Sequence, residues 1–115
     1  MCYNTNTTES DVPTLDDLHW AEGPDARSLL DAIVALDDPD LAERFLRDLC
    51  TRRELEEMVS RWAVVRRLAE GRSYRDIHAE TGVSTATITR INDWLRHGTG
   101  GYRAMLERLG ASSDG

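Results

Sequence analysis

From Ala26 to Leu109 the apolar residues recur at the spacing of a helix face and never at the alternation of a strand. That regularity confines the chain to an all-α architecture, because a segment patterned every 3.6 residues buries its apolar side only when wound as a helix. Ala26, Leu29, Leu30, Ile33 and Val34 form the first stripe and predict a helix over Ala26–Leu36. Asp37-Asp38-Pro39 stops it and opens the next, since Asp38 can accept from open backbone N–H groups and proline suits a first helical position. Leu41, Ala42, Phe45, Leu46 and Leu49 form the second stripe. Thr51-Arg52-Arg53-Glu54 reads as a capping box and starts a long helix to about Glu70, with Leu55, Met58, Val59, Trp62, Val65 and Ala69 as its stripe and Gly71 as its stop. Ser73, with Asp76 three residues on, opens a helix over 73–81 that ends at Gly82. Ser84 caps a helix over 84–97 that stops at Gly98, and Tyr102, Met105, Leu106 and Leu109 mark a last short one. The expectation is six helices and no sheet.

At 115 residues the chain holds one domain with a modest core. Residues 1–24, polar, acidic and broken by Pro13 and Pro24, read as an unstructured tail; 25–110 read as the folded domain, and 111–115 as an unstructured C-terminus. Three apolar stripes in the first half are more than a chain this short can cover alone, so a homodimer is expected. No apolar run approaches the ~20 residues that span a bilayer, and no basic-then-apolar signal sequence opens the chain. The expected location is the cytoplasm. Cys2 and Cys50 form no disulfide framework or zinc spacing, and His19, His78 and His97 form no HxxxH or HExxH pattern, so neither metal nor cofactor is expected. No paired nucleophile and base and no phosphate-cradling glycine loop point to an enzyme.

The formal net charge of −7 opposes general affinity for DNA, but its distribution matters more. Residues 1–48 carry twelve acids and three arginines; between Arg61 and Arg103 there are eight arginines and four acids. That local surplus surrounds the stretch "SYRDIHAETGVSTATITRIN", two short helical patterns hinged at Gly82. A helix-turn-helix needs a buttressing first helix, a tight turn and a second helix with one buried face and one slender polar face. Ile77, Val83, Ile88 and Ile91 fall where the inward contacts belong, and Ile88, Ile91 and Leu95 lie within ~60° of one another at 100° per residue. Ala86, Thr89, Arg90 and Asp93 lie opposite, with Ser84 and Thr85 at the hydroxyl-rich start. Small and hydroxyl side chains suit close approach to base edges in double-stranded DNA, and Arg75 in the preceding helix can reach a phosphate or guanine. His78 sits where the two helices cross and can also face a phosphate. An αα-corner with a merely solvated outer face gives the same pattern; the arginine surplus and threonine-rich face favour DNA, while Asp93 and the acidic first half disfavour it.

The segment "GVSTATITRIN" resembles the recognition-helix segment of the Trp repressor, where ATITR recurs at the same place. The span from "LCTRRELEEMVSRWAVVRRLAEGRSYRDIHAETG" to "HGTGGYRAMLERLG" resembles more closely the Trp-repressor-related YerC/YecD family, over about residues 30–110. The resemblance implies a six-helix intertwined homodimer that presents two helix-turn-helices to successive major grooves and regulates transcription, as a repressor in the namesake. It also implies that Arg75, Thr85, Ala86 and Thr89 approach operator bases, that His78 takes the place of a basic contact residue, and that Arg61 and Arg90 match the arginines that hold a tryptophan corepressor. The chain departs from that pattern at Ile91, where the repressor has glycine, and at Trp62, where it has a smaller aliphatic residue. The expectation is that Ile91 or Trp62 fills the effector pocket and tryptophan is not the signal. A protein-interaction module on the same fold, with DNA incidental and the acidic first half engaging a partner, is the alternative.

Overall fold

The computed structural model describes residues 20–113, and among them six helices and no strand. Residues 1–19 of the expected tail lie outside the described residues; Trp20 and Ala21 form a 3-10 turn, and Pro24 already opens the first helix. The helices are α1 (Pro24–Ala35), α2 (Pro39–Leu49), α3 (Arg52–Ala69), α4 (Tyr74–Thr81), α5 (Thr85–His97) and α6 (Gly101–Ser113). None is long and apolar enough to cross a membrane.

The starts of α2 to α5 are set by side chains that accept from open backbone N–H groups. The Asp38 carboxylate accepts from the Leu41 N–H at 2.9 Å, with Pro39 behind it. Thr51 and Glu54 form the reciprocal box, at 3.1 Å and 2.8 Å, that opens α3. Ser73 caps α4 through the Asp76 N–H at 3.1 Å, and Ser84 caps α5 through the Thr87 N–H at 3.2 Å. The α5–α6 corner is closed in a different way. A Cβ on Gly98 would lie 2.4 Å from the Trp94 carbonyl oxygen, so the chain leaves α5 through a gap that admits only hydrogen.

The hub is α3, which packs against α2, α4, α5 and α6. Val64, Val65, Ile77 and Ile88 are fully buried and Ile91 is nearly so, ringed by Trp62, Leu68, Tyr74, Val83, Leu95, Tyr102 and Leu106. The expected α3 stripe needs correction. Val65 is core and Trp62 packs on it, but Val64 was missed, and Met58, Val59 and Ala69 are exposed. A helix that touches four others presents more than one inward face, so a single stripe misdescribes it.

Two further differences concern the ends. α6 runs to Ser113, past the short helix expected over 102–109 and into the expected C-terminal tail. Gly110 costs a helix about 1 kcal/mol relative to alanine but does not stop it. α1 starts at Pro24 rather than Ala26, as proline fits a first turn. Among the described residues it packs closely on no other helix and leaves Ile33 and Val34 exposed. The radius of gyration, 15.4 Å, exceeds the ~13 Å of a close-packed domain of about 100 residues.

Candidate nucleic-acid interface

α4 and α5 meet at Gly82, whose φ of +78° places the backbone in the left-handed region that a side chain disfavours. The three-residue turn is braced from both sides. The Gly82 N–H donates to the His78 carbonyl at 2.8 Å and ends α4. The Thr81 hydroxyl donates to the Ile77 carbonyl at 2.7 Å and accepts from the Val83 N–H at 3.1 Å. His78 Nδ1 stands 2.9 Å from the Val83 carbonyl oxygen. That oxygen can only accept, so Nδ1 carries the hydrogen and the exposed ring is held across the turn. At the far end, Asn92 Nδ2 on α5 donates to the Tyr74 hydroxyl on α4 at 3.0 Å.

The pair is anchored to α3 by Glu80. Its carboxylate accepts from Arg67 Nε on α3 at 2.8 Å and from an Arg72 guanidinium nitrogen at 2.6 Å. The Arg67 hydrogen bond, aided by the charge of Arg72, holds the Glu80 carboxyl below the usual carboxylate range. Arg67 and Arg72 therefore belong to the scaffold, and the local positive surplus is smaller at the outer face than a count of arginines suggests.

On α5 the division of faces follows the expected one. Ile88 and Ile91 are buried against α3 and α4, while Ser84, Thr85, Ala86, Thr89, Arg90 and Asp93 are exposed. On α4, Arg75 and His78 are exposed. The structure thus brings Arg75, His78, Ser84, Thr85, Ala86, Thr89 and Arg90 to the surface of one two-helix unit. His78 is already tied to the Val83 carbonyl, and two hydroxyls are committed as well. The Ser84 hydroxyl accepts from the Thr87 N–H and donates to Thr87 Oγ1 at 3.0 Å, so it serves the helix start. Thr89 Oγ1 donates to the Thr85 carbonyl at 3.0 Å, leaving its methyl group and oxygen lone pairs as what it can offer outward. Glu80, Thr81, Tyr74 and Asn92 were not singled out from sequence; their partners lie on other helices or across a turn, where spacing gives no signal.

Beside this unit lies an open cleft of about 570 Å³, lined by Arg61, Thr87, Arg90, Ile91, Trp94 and Tyr102. Arg61, Arg90 and Ile91 therefore come together, and Trp62 does not join them. It points about 100° around α3 from Arg61 and borders an adjoining hollow, with its ring centroid 6.3 Å from that of Tyr102. Of the two residues expected to fill the pocket, only Ile91 is in place to do so. Arg61, Thr87 and Ile91 also line a neighbouring hollow of about 360 Å³, so they form the saddle between the two.

Six helices among the described residues, four of them packed on the long α3, with an outward-facing corner between the fourth and fifth, define a class of small all-α proteins. This chain belongs to the Trp repressor protein family, whose model matches residues 25–110. It is 39% identical over 87 residues to the uncharacterized protein YerC of Bacillus subtilis strain 168, covering 76% of this chain and 84% of that one. Its fold is similar to that of a TrpR-like protein from Eubacterium eligens ATCC 27750, with a TM-score of 0.75 and 40% identity over 80% of this chain and 95% of that one. A candidate Trp repressor from Staphylococcus aureus also matches, with a TM-score of 0.75 and 32% identity over 81% of this chain and 93% of that one. The fold is accordingly the all-α Trp-repressor-like fold, and the resemblance carried by "GVSTATITRIN" and its flanks is that of the family.

Proposed function

We propose that this protein is a sequence-specific, double-stranded-DNA-binding transcriptional regulator, a repressor, acting as a homodimer through the helix-turn-helix made by α4 and α5. The observation that carries the reading is the orientation of α5. Its apolar residues Ile88 and Ile91 are buried, and the face bearing Thr85, Ala86 and Thr89 is turned to solvent with no bulky side chain among those three. A helix of that profile enters a major groove, where the Thr89 methyl group meets a thymine methyl and its oxygen accepts from a base amino group, directly or through water. Arg75 and His78 serve phosphate contacts, and Arg90 flanks the groove. Residues 25–110 form the working domain on this reading. Family membership supports it, as does the pair of relatives described as TrpR-like or as a candidate Trp repressor.

Tryptophan is not the effector on this reading. Ile91 lines the cleft together with Arg61 and Arg90, at the position where the repressor's pattern has glycine to leave room for an indole. Calorimetric titration with L-tryptophan is expected to give no saturable heat at micromolar ligand.

The decisive variant is Thr89→Asp. A carboxylate inside the groove opposes the phosphate field and cannot reproduce the threonine contact, while the exposed position leaves the core untouched. After genomic mapping of a bound site, a gel shift on that site is expected to show at least about a hundredfold loss of affinity, given ~1–3 kcal/mol per base contact plus the charge opposition. An unaltered shift with a normally folded variant would falsify the assignment of α5 as the reading helix.

A further inference from the structure

The bond that braces the α4–α5 turn also decides what an imidazole at this corner can offer a duplex. His78 Nδ1 stands 2.9 Å from the Val83 carbonyl oxygen, which can only accept, so Nδ1 carries a hydrogen in the neutral and the charged ring alike. The remaining nitrogen, Nε2, is therefore a bare acceptor while the ring is neutral and becomes a donor only in the imidazolium. A phosphate oxygen is itself an acceptor and needs a donor. We infer that His78 meets a DNA phosphate only as an imidazolium, so that docking a duplex takes up a proton from solvent at Nε2 and affinity for DNA falls as pH rises. This rests on the DNA-binding reading above and adds to it a pH dependence of the same site.

The ring is exposed, so solvent can deliver the proton. On α4, Arg75 lies one turn before His78 and opposes a second positive charge beside it. Asp76 and Glu80, two residues to either side, lie about 200° around the helix. Glu80 is also taken by Arg67 and Arg72. α3 and α5 are the helices packed closely against α4. From α5, the residues that follow the turn, Val83 to Thr89, carry no ionisable group, and the first charge is Arg90. From α3, Arg67 reaches α4 and is held there by Glu80. With an arginine one turn away and Glu80 engaged elsewhere, the counter-charge that favours the imidazolium is the phosphate's. A hydrogen bond to an ionised partner is about twice as strong as one between neutral groups, which draws the proton on as the duplex docks.

The test measures the affinity of the full chain for a labelled duplex of random sequence at fixed low salt, from about pH 6 to about pH 8, where histidine changes charge. His78→Lys and His78→Gln are measured beside it. Wild type is expected to bind at least about fivefold weaker at the upper end of that range. His78→Lys, charged throughout, is expected to keep the tighter value across the range, and His78→Gln the weaker one. His19 and His97 are present in all three proteins, so their titration cancels. NMR of the imidazole nitrogens in the free protein at about pH 8 is expected to show the hydrogen on Nδ1. A pH profile shared by wild type and both variants overturns the inference, as does a hydrogen on Nε2. So does an affinity that rises with pH, the mark of a neutral ring accepting from a base amino group. Each of these leaves the DNA reading standing; if none of the three proteins binds any duplex, both readings fail together.

Discussion

Glu80 lies on the surface and still governs how α4 sits, because two guanidinium groups from α3 and the following loop converge on its carboxylate. Its ionised form is favoured in the folded protein, chiefly through the Arg67 hydrogen bond. A carboxyl depressed on folding contributes stability above its unfolded value, and that contribution is lost as pH falls through the lower folded value. Glu80→Gln is therefore expected to lower the melting temperature at neutral pH, with the gap to wild type closing below about pH 4. Parallel melting curves across that range check it; a gap independent of pH would mean the carboxylate charge is irrelevant. The sequence shows Arg67, Arg72 and Glu80 but not their meeting, since partners eight and thirteen residues apart are joined only by the path of the intervening loop. Gly98 was legible as a helix stop but not as a steric gap, because the nearby Trp94 carbonyl is a product of the fold.

At the scale of the element, α5 was read almost fully in advance. It has one inward face, and Ile88, Ile91 and Leu95 repeat along it at helix spacing without interruption. Ile88→Ala is expected to cost about 2–5 kcal/mol, the range for emptying a fully buried aliphatic site. Thr85→Ala, on the exposed side, is expected to change stability by less than about 0.5 kcal/mol. Urea unfolding of both variants separates the faces; equal losses would contradict the packing. For α3 the same reading was only half right. Its several partners wet some of the anticipated apolar positions and bury Val64 instead, a choice that depends on which helices arrive and not on local spacing. The candidate site divides in the same way. Exposure of Thr85, Ala86 and Thr89 followed from periodicity, as did the divergence of Trp62 from Arg61, whereas the ring contact of Trp62 with Tyr102 depends on where α6 arrives.

At the scale of the whole molecule, the most exposed apolar residues of the helices are Val34 on α1, at 83%, and Val59 on α3, at 69%, with Leu49 on α2 and Met105 and Leu109 on α6 about half exposed. A patch of this kind, reaching a helix with no close partner among the described residues, is what a second copy would cover. On the proposed homodimer, Val34→Glu is expected to shift the sedimentation of the 13.0 kDa chain from dimer to monomer at micromolar concentration, with little effect on the core of one protomer. A variant that stays dimeric would place the contact elsewhere. α3 has both duties on that arrangement. Its 18 residues make a rod of ~27 Å that bears the uncovered edge at one end and, through Arg67, grips α4 toward the other. On the proposed DNA-binding reading such a dimer is a gauge with fixed jaws, which would accept one separation of half-sites and reject a duplex with a base pair inserted between them.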